Sequence, residues 1–376
     1  MHPTSTRPPR GPDRIRTGYR RRRANRTLLT ALSCLTAFGC LVSLASAKLH
    51  KSPPSPTSVS WPTASPSGTA TPAAGSATSS QPQFGAVSWP ADGTAAADIT
   101  GYGVTEGPGA TRQVPIASVA KLMTAYVILH DHPLSANGSG PDITVEPSEA
   151  AEYPSQVADG DSLVAVAAGE TITERQALEA LLLPSADNIA WILARWDAGS
   201  QGAFTAKMNA TARSLGLAAT SYTDASGLDP STTSTAADQV RLGMAAMGVP
   251  ALAEIAALPA AFVPVAGVVR NSNTLLGQDG IVGLKTGSTL ASGGCLLVAA
   301  WAAVNGHDTL LVAATFGQPG TAGTILPNAL QAGHDLVLAL DAALGAGTQS
   351  GSRDDPEGSP QGPPLSRTTG RRSDPQ

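Results

Sequence analysis

Residues 294–317, GCLLVAAWAAVNGHDTLLVAATFG, place two apolar runs on either side of Asn305-Gly306. Asn-Gly is the strongest short-range hairpin signal, because both residues accept the positive φ of a type I′ turn. The two runs are apolar at nearly every position rather than at every second one. An alternating strand can leave one face in water, whereas a strand apolar throughout must be covered on both faces. The chain therefore needs helices above and below this hairpin. Ile325–Leu344 reads as a long apolar helix that packs on it. Helical spacing also runs through Ser118–His130, where Leu122, Tyr126 and Leu129 share a face, through Thr173–Leu183 with Thr173 as N-cap and Pro184 as stop, and through Ala186–Asp197, Phe204–Leu215 and Thr235–Met247. Strands are expected at Ala86–Trp89 and Ala95–Val104 around an Asp92-Gly93 turn, and at Gly283–Thr289. The expected fold class is α+β, an antiparallel β-sheet flanked by helices with a mostly helical subdomain.

That folded part occupies about 84–345, and the flanks are of a different kind. Residues 1–26 carry nine Arg and one Asp, a basic leader expected to stay in the cytoplasm. Residues 27–47, TLLTALSCLTAFGCLVSLASA, are 21 uncharged residues. As a helix they span about 30 Å, the thickness of a bilayer's hydrocarbon core. They read as a single-pass anchor, with the rest of the chain outside the cytoplasm. The alternative is a signal peptide cut after Ala45-Ser46-Ala47, releasing a secreted form. Residues 48–83 are dominated by Pro, Ser, Thr, Ala and Gly and read as a disordered linker, and 346–376 read as a polar disordered tail. Residues 27–345 hold 11 basic and 23 acidic side chains, which argues against a nucleic-acid partner. Three widely placed Cys and six His without ligand spacing give no disulfide framework and no metal site.

Three short segments carry the candidate chemistry. Ser118-Val119-Ala120-Lys121 puts a hydroxyl and an amine on one face of a helical turn. A serine is a weak nucleophile until a base takes its proton, and an amine serves as that base only when desolvation or a nearby cation lowers its proton affinity. A helix cap beside a solvated lysine would look the same. Lysine usage favours the chemical reading: 84–345 contains three Lys (121, 207 and 285) against six Arg, and Arg cannot act as a base. Lys207, in an ordinary helical segment, is expected to be a surface residue. The second segment is Pro184-Ser185-Ala186-Asp187-Asn188, at a turn between helices, where Ser185 either caps a helix or points into a cleft. The third is Lys285-Thr286-Gly287-Ser288-Thr289, a strand able to offer a cation and hydroxyls to a carboxylate, or simply a polar edge strand.

Taken together, S-x-x-K, the Ser185 segment and K-T-G resemble the serine D-Ala-D-Ala carboxypeptidases, the low-molecular-mass penicillin-binding proteins of the S11 peptidase type. The resemblance extends through Phe204, Met208-Asn209, Ala212 and Leu215-Gly216-Leu217, through Gly227-Leu228 and Ser234-Thr235-Ala236, through Asn273-Thr274-Leu275-Leu276, and to Gly294-Cys295. It implies a β-lactamase/transpeptidase-like fold and an enzyme without cofactor or metal. Its substrate would be a peptidoglycan stem peptide ending in D-Ala-D-Ala, and β-lactams would be covalent inhibitors. By position, Ser118 would be the nucleophile, Lys121 its base, and Ser185 a proton relay. Lys285, Thr286, Gly287, Ser288 and Thr289 would bind the substrate, its carboxylate held by Lys285 and the hydroxyls. The oxyanion would meet the N–H of Ser118 and that of Thr289 or its immediate neighbour. A class A β-lactamase would need a further Glu in an E-x-x-L-N context, which is missing between Asn188 and Gly283. The second motif departs from the family's usual S-x-N, and with Asp187 there the alternative is a non-catalytic cell-wall binding or scaffolding domain on the same fold. Either Asp187 faces Lys121, favours its ammonium form and slows the enzyme, or the turn is rotated and Asn188 supplies the amide. The uninterrupted apolar register around LLLPSA favours Asp187.

Overall fold

A computed structural model describes residues 86–135, 137–304 and 306–350. The basic leader, the apolar run 27–47, the 48–83 linker, Asn305 of the hairpin turn and the tail beyond 350 lie outside the described residues. In chain order the elements are β1 (Thr94–Ile99), β2 (Gly103–Glu106), β3 (Val114–Pro115), a 3₁₀ turn (Ala117–Ala120), α1 (Lys121–Asp131), β4 (Asp142–Thr144), α2 (Pro147–Asp159), β5 (Thr171–Thr173), α3 (Glu174–Leu182), α4 (Asp187–Ala198), α5 (Gln201–Ser214), β6 (Thr233–Ser234), α6 (Ala236–Met247), α7 (Pro250–Ala256), β7 (Ala260–Val263), β8 (Gly267–Arg270), β9 (Ile281–Thr289), β10 (Gly293–Val304), β11 (His307–Gln318) and α8 (Ile325–Ser350).

The apolar hairpin forms the middle of the sheet. β10 and β11 pair antiparallel from Val304↔His307 to Gly294↔Gln318, inside a five-stranded antiparallel sheet ordered β2-β1-β11-β10-β9. Strand period two then sorts their side chains. Cys295, Leu297, Ala299, Val312, Ala314 and Phe316 enter a core shared with α1, α3, α4 and α6. Leu296, Val298, Ala300, Leu311 and Ala313 enter a second core beneath Ala329, Leu336, Val337, Leu340 and Leu344 of α8. Each fully buried Leu, Ile or Val contributes about 1.5–3 kcal/mol relative to exposure, so neither face can be left uncovered.

The helical lobe surrounds α1. Leu122, Met123, Ala125, Val127, Ile128 and Leu129 are all buried, so this helix is apolar around most of its circumference, with α3, α4 and α5 against it. α3 starts on a capping box in which Thr173 Oγ1 accepts from Gln176 N–H and Gln176 Oε1 accepts from Thr173 N–H. α6 starts on Thr235, whose hydroxyl accepts from Asp238 N–H.

Several local expectations are corrected. Residues 86–90 are not a strand, and the run 95–104 is two strands, broken by a turn in which Tyr102 N–H donates to the Ile99 carbonyl. α2 escaped sequence reading because it is polar, buries only Gln156 and carries Pro154, while starting on a Glu146/Glu149 capping box. α8 continues six residues beyond the expected Leu344, to Ser350. Lys207 is more than a surface residue: it donates at 2.7 Å to both Asp131 and Asp197, tying α5 to the ends of α1 and α4.

Glu174, in the first turn of α3, is almost fully buried, and its Oε1 has no hydrogen-bond partner. Burial pushes its carboxyl up to about 7. The folded protein therefore binds this proton more tightly than the unfolded chain does, and stability falls as pH rises from the ordinary glutamate value toward 7. Glu174→Gln is expected to remove that slope and to stabilise the fold at pH 7.5 by on the order of 1–2 kcal/mol, read as a higher midpoint of thermal unfolding. Melting curves across this pH range, unchanged by the substitution, would contradict the assignment.

Candidate active site

The site begins where the 3₁₀ turn runs into α1. Ala117 enters that turn at φ 47, a left-handed conformation uncommon for a residue with a side chain. The surroundings hold it there: a Cβ on Gly227 would collide with the Ala117 carbonyl, so the 224–228 loop lies directly against it. Ser118 follows, half-exposed, while Val119, Ala120 and Lys121 are buried. One helical turn on, Lys121 Nζ donates to Ser118 Oγ at 2.8 Å.

An ammonium has three protons to donate. The other two go to Asp187 Oδ1 at 2.6 Å and to the Ser226 carbonyl at 2.9 Å. Lys121 has no exposed side-chain surface and Asp187 almost none, so their contact is a buried ion pair. Asp187 also accepts from Ser162 N–H through Oδ2 at 3.0 Å. Asn188 turns the other way: its Nδ2 donates to the Val164 carbonyl at 2.8 Å and its Oδ1 accepts from Val164 N–H at 3.3 Å. The first residue of α4 thus reaches the lysine, and the second ties down the 160–164 segment.

Ser185 lies in the turn between α3 and α4 with φ 68, and its hydroxyl is buried without a hydrogen-bond partner. An unpaired buried hydroxyl costs roughly 1–3 kcal/mol, so a group held unpaired in the resting site is available to a bound molecule.

β9 is an edge strand. Gly287 lets it lie against the start of the nucleophile turn: a Cβ there would stand 3.0 Å from the Ser118 and Val119 nitrogens. The glycine thus serves strand-to-turn contact rather than ligand approach alone. Thr289 N–H donates to Ser292 Oγ inside the β9–β10 turn. The Thr286 carbonyl, by contrast, accepts from Lys285 Nζ at 2.9 Å on the strand's free edge. Backbone direction alternates along a strand, so Ser288 shares that free edge with Thr286. Of the neighbours expected to donate to an oxyanion, Thr289 is occupied and Ser288 faces outward. Thr286 Oγ1 is engaged with Ser272 Oγ at 2.6 Å. Ser118, Asp187, Ser288 and Thr289 line one cavity of about 570 Å³.

Lys285 is buried, and its amine is held well below the ordinary lysine range, by burial first and by the Lys121 cation second, with Asp187 opposing. Asp161, on the rim of the same cavity, is pushed up by burial and by the Asp187 and Asp159 carboxylates. Sequence reading missed the Ser226 carbonyl and the Ser162 amide, which act through the backbone and leave no side-chain signature. It also missed the rim carboxylates Asp159 and Asp161.

A serine hydroxyl at a helix start, a buried lysine one turn on, and an adjacent sheet edge under helical cover define a serine hydrolase of the β-lactamase/transpeptidase-like fold. Residues 98–318 match the peptidase S11 family, described as D-alanyl-D-alanine carboxypeptidase, and the chain belongs to that family. It is 33% identical over 235 residues to the D-alanyl-D-alanine carboxypeptidase DacB2 of Mycobacterium tuberculosis, covering 61% of this chain and 75% of that one. It is 34% identical over 192 residues to a D-alanyl-D-alanine endopeptidase of Pseudomonas aeruginosa, covering 49% of this chain and 59% of that one. The crystal structure of a D-alanyl-D-alanine carboxypeptidase from Mycobacterium tuberculosis H37Rv superposes with a TM-score of 0.57 at 30% identity, over 68% of this chain and 95% of that one.

The depressed Lys285 amine has a measurable consequence. A carboxylate placed beside it favours the ammonium, so binding takes up a proton. Below the depressed value Lys285 is charged with or without ligand and affinity is flat; above it the proton must be acquired on binding and affinity falls. A peptide ending in a free carboxylate is therefore expected to lose up to about tenfold in affinity per pH unit there, while its C-terminal amide stays flat. Calorimetry in buffers of different ionisation enthalpy reads the proton count, and zero uptake for the acid would refute this.

Proposed function

We propose that this protein is a serine-type D-alanyl-D-alanine carboxypeptidase that removes the terminal D-Ala of peptidoglycan stem peptides through an acyl-enzyme on Ser118. The observation that carries the reading is the 2.8 Å contact between Ser118 Oγ and the buried Lys121 amine. In this reading Lys121 takes the hydroxyl proton as Ser118 Oγ bonds to the carbonyl carbon of the penultimate D-Ala. The N–H groups of Ser118 and Ser288 hold the oxyanion. The proton passes through Ser185 to the departing amine as the C–N bond breaks, and water then hydrolyses the ester. Lys285 holds the terminal carboxylate, beside the hydroxyl groups of Ser288 and Thr289. β-Lactams acylate the same serine.

Lys121 Nζ donates to Asp187 at 2.6 Å as well as to Ser118, so a proton must leave the amine before it can accept one from the serine. Acylation is accordingly expected to be slow at neutral pH. Ser118→Ala is expected to abolish both the fluorescent-penicillin adduct and D-Ala release, and Lys121→Arg to lower acylation by about 10²–10⁴. Asp187→Asn is expected to accelerate acylation and move its pH profile downward. An adduct that persists in the Ser118→Ala protein, located by mass spectrometry, would sink the assignment.

The cellular placement belongs to the same proposal. Among the described residues no helix is long and apolar enough to cross a membrane, and the reading rests on the sequence alone: nine Arg before a 21-residue uncharged run, then the Pro- and Ser-rich spacer. We place the catalytic domain outside the cytoplasm on a single-pass anchor. Protease treatment of protoplasts is expected to remove the domain and leave a membrane stub. A protected domain would reverse the orientation, and a soluble form beginning at Lys48 would establish cleavage instead.

A further inference from the structure

A second cavity, of about 410 Å³, shares no lining residue with the Ser118 cavity. It forms where residues 88–92 pass the end of β11 and the first turns of α8. A third hollow, of about 500 Å³, connects the two in sequence of lining: it shares Leu290 and Ile325 with the Ser118 cavity, and Gln318 and Pro319 with the distal one. The surface thus presents three consecutive hollows, with the nucleophile at one end.

The lining of the distal cavity restricts what fits. Trp89 forms one wall, its ring backed by Gly107, where no Cβ has room. The remaining chemistry comes from Asn328, Gln331, Asp335, Gln318 and Asp92. Each amide nitrogen already makes one bond: Gln331 Nε2 donates to Asp335 Oδ1 at 2.8 Å, Asn328 Nδ2 to the Pro319 carbonyl at 2.7 Å, and Gln318 Nε2 to the Asp92 carbonyl at 2.9 Å, which leaves a second hydrogen on each. What the cavity offers a ligand is therefore acceptor oxygen from amides and carboxylates, together with the remaining amide hydrogens. No Lys or Arg lines it, which disfavours an anion. A hydroxyl donates and accepts through one atom, so a sugar's hydroxyls can use this mixture, and an N-acetyl carbonyl can accept from the remaining amide hydrogens. A flat aromatic wall next to planar polar groups suits the apolar face of a sugar ring, and the volume lies within the range of about 300–1,000 Å³ typical of small-ligand sites.

We propose that the Trp89 cavity binds one or two N-acetylated sugar residues of a glycan chain, and that the intermediate hollow carries the connection from that chain to the peptide branch cleaved at Ser118. The sugar site stands on its own observations; its benefit to turnover rests on the peptidase reading above. The enzyme then holds its substrate at two points and prefers peptides still attached to their glycan over free ones.

The test titrates the full-length chain in detergent micelles with chitotetraose, followed by calorimetry. Saturable binding is expected, weakened at least tenfold in Trp89→Ala. Trp89 leans on the second core, so the double variant Gln331→Ala/Asp335→Ala, on the exposed face of α8, provides the same test without touching the core; it too is expected to lose at least tenfold. Fluorescent-penicillin labelling of Ser118 is expected to be unchanged in every variant, whereas kcat/KM for glycan-linked stem peptides falls and that for the free peptide does not. No saturable binding by the unaltered protein, equal binding by the double variant, or displacement of the sugar by a glycan-free peptide would overturn the proposal. Penicillin labelling without glycan binding refutes the sugar site alone; glycan binding without labelling refutes the peptidase reading and leaves the sugar site standing.

Discussion

A primary amine with no exposed surface, Lys121 Nζ, spends its three protons on three different parts of the chain. One goes back along its own turn to Ser118, one to the first residue of α4, and one to the backbone of the 224–228 loop. Desolvating an ammonium costs several kcal/mol, and this is offset only when every proton has an acceptor in good geometry. The requirement runs outward from there. Asp187 must be held, and Ser162 N–H holds it. The loop must present its carbonyl, and Asp224 fixes it by accepting from Ser226 Oγ, Leu228 N–H and Thr232 Oγ1. Thr124, one turn beyond the lysine, donates to the Ala225 carbonyl at 2.6 Å and ties the same loop to α1 a second time. Removing any of these acceptors strands a buried charge.

The sheet contributes the other half of the site by leaving one edge unpaired. An open strand edge invites pairing with other chains, and proteins usually cover or break it. Here β9 packs against the turn that carries Ser118, so closely that a Cβ at Gly287 would stand 3.0 Å from the Ser118 and Val119 nitrogens, and the amine of its own Lys285 takes up the Thr286 carbonyl. Ser288, two residues on, lines the same cavity as Ser118.

Much of this was legible from residue order. The β10–β11 hairpin could be read because two apolar runs around Asn-Gly admit few alternatives, and its demand for cover on both faces anticipated α6 and α8. Ser118 and Lys121 could be paired because three residues are nearly one helical turn. Asp187 and Asn188 could not be separated with the same certainty, since adjacent helical residues point about 100° apart and a one-residue rotation exchanges them. The structure gives the lysine to Asp187 and the 160–164 segment to Asn188. The Ser226 carbonyl and the Ser162 amide were beyond sequence reading, because any residue supplies the same backbone group. α2 was missed for the opposite reason: its side chains are mostly in water, and a helix without an apolar stripe leaves no period to detect.

The charges of the site form a chain of dependence. Two buried lysines share one neighbourhood, and Lys285 is held low by burial and by the Lys121 cation. An amide at position 187 would do nothing to relieve this. The carboxylate found there relieves it in part, since Asp187 acts on Lys285 in the direction opposite to Lys121. The cost appears on the rim, where Asp161 is pushed up by burial and then by the charges of Asp187 and Asp159. One acidic side chain in place of an amide therefore acts on both neighbours, supporting the proton of Lys285 on one side and that of Asp161 on the other.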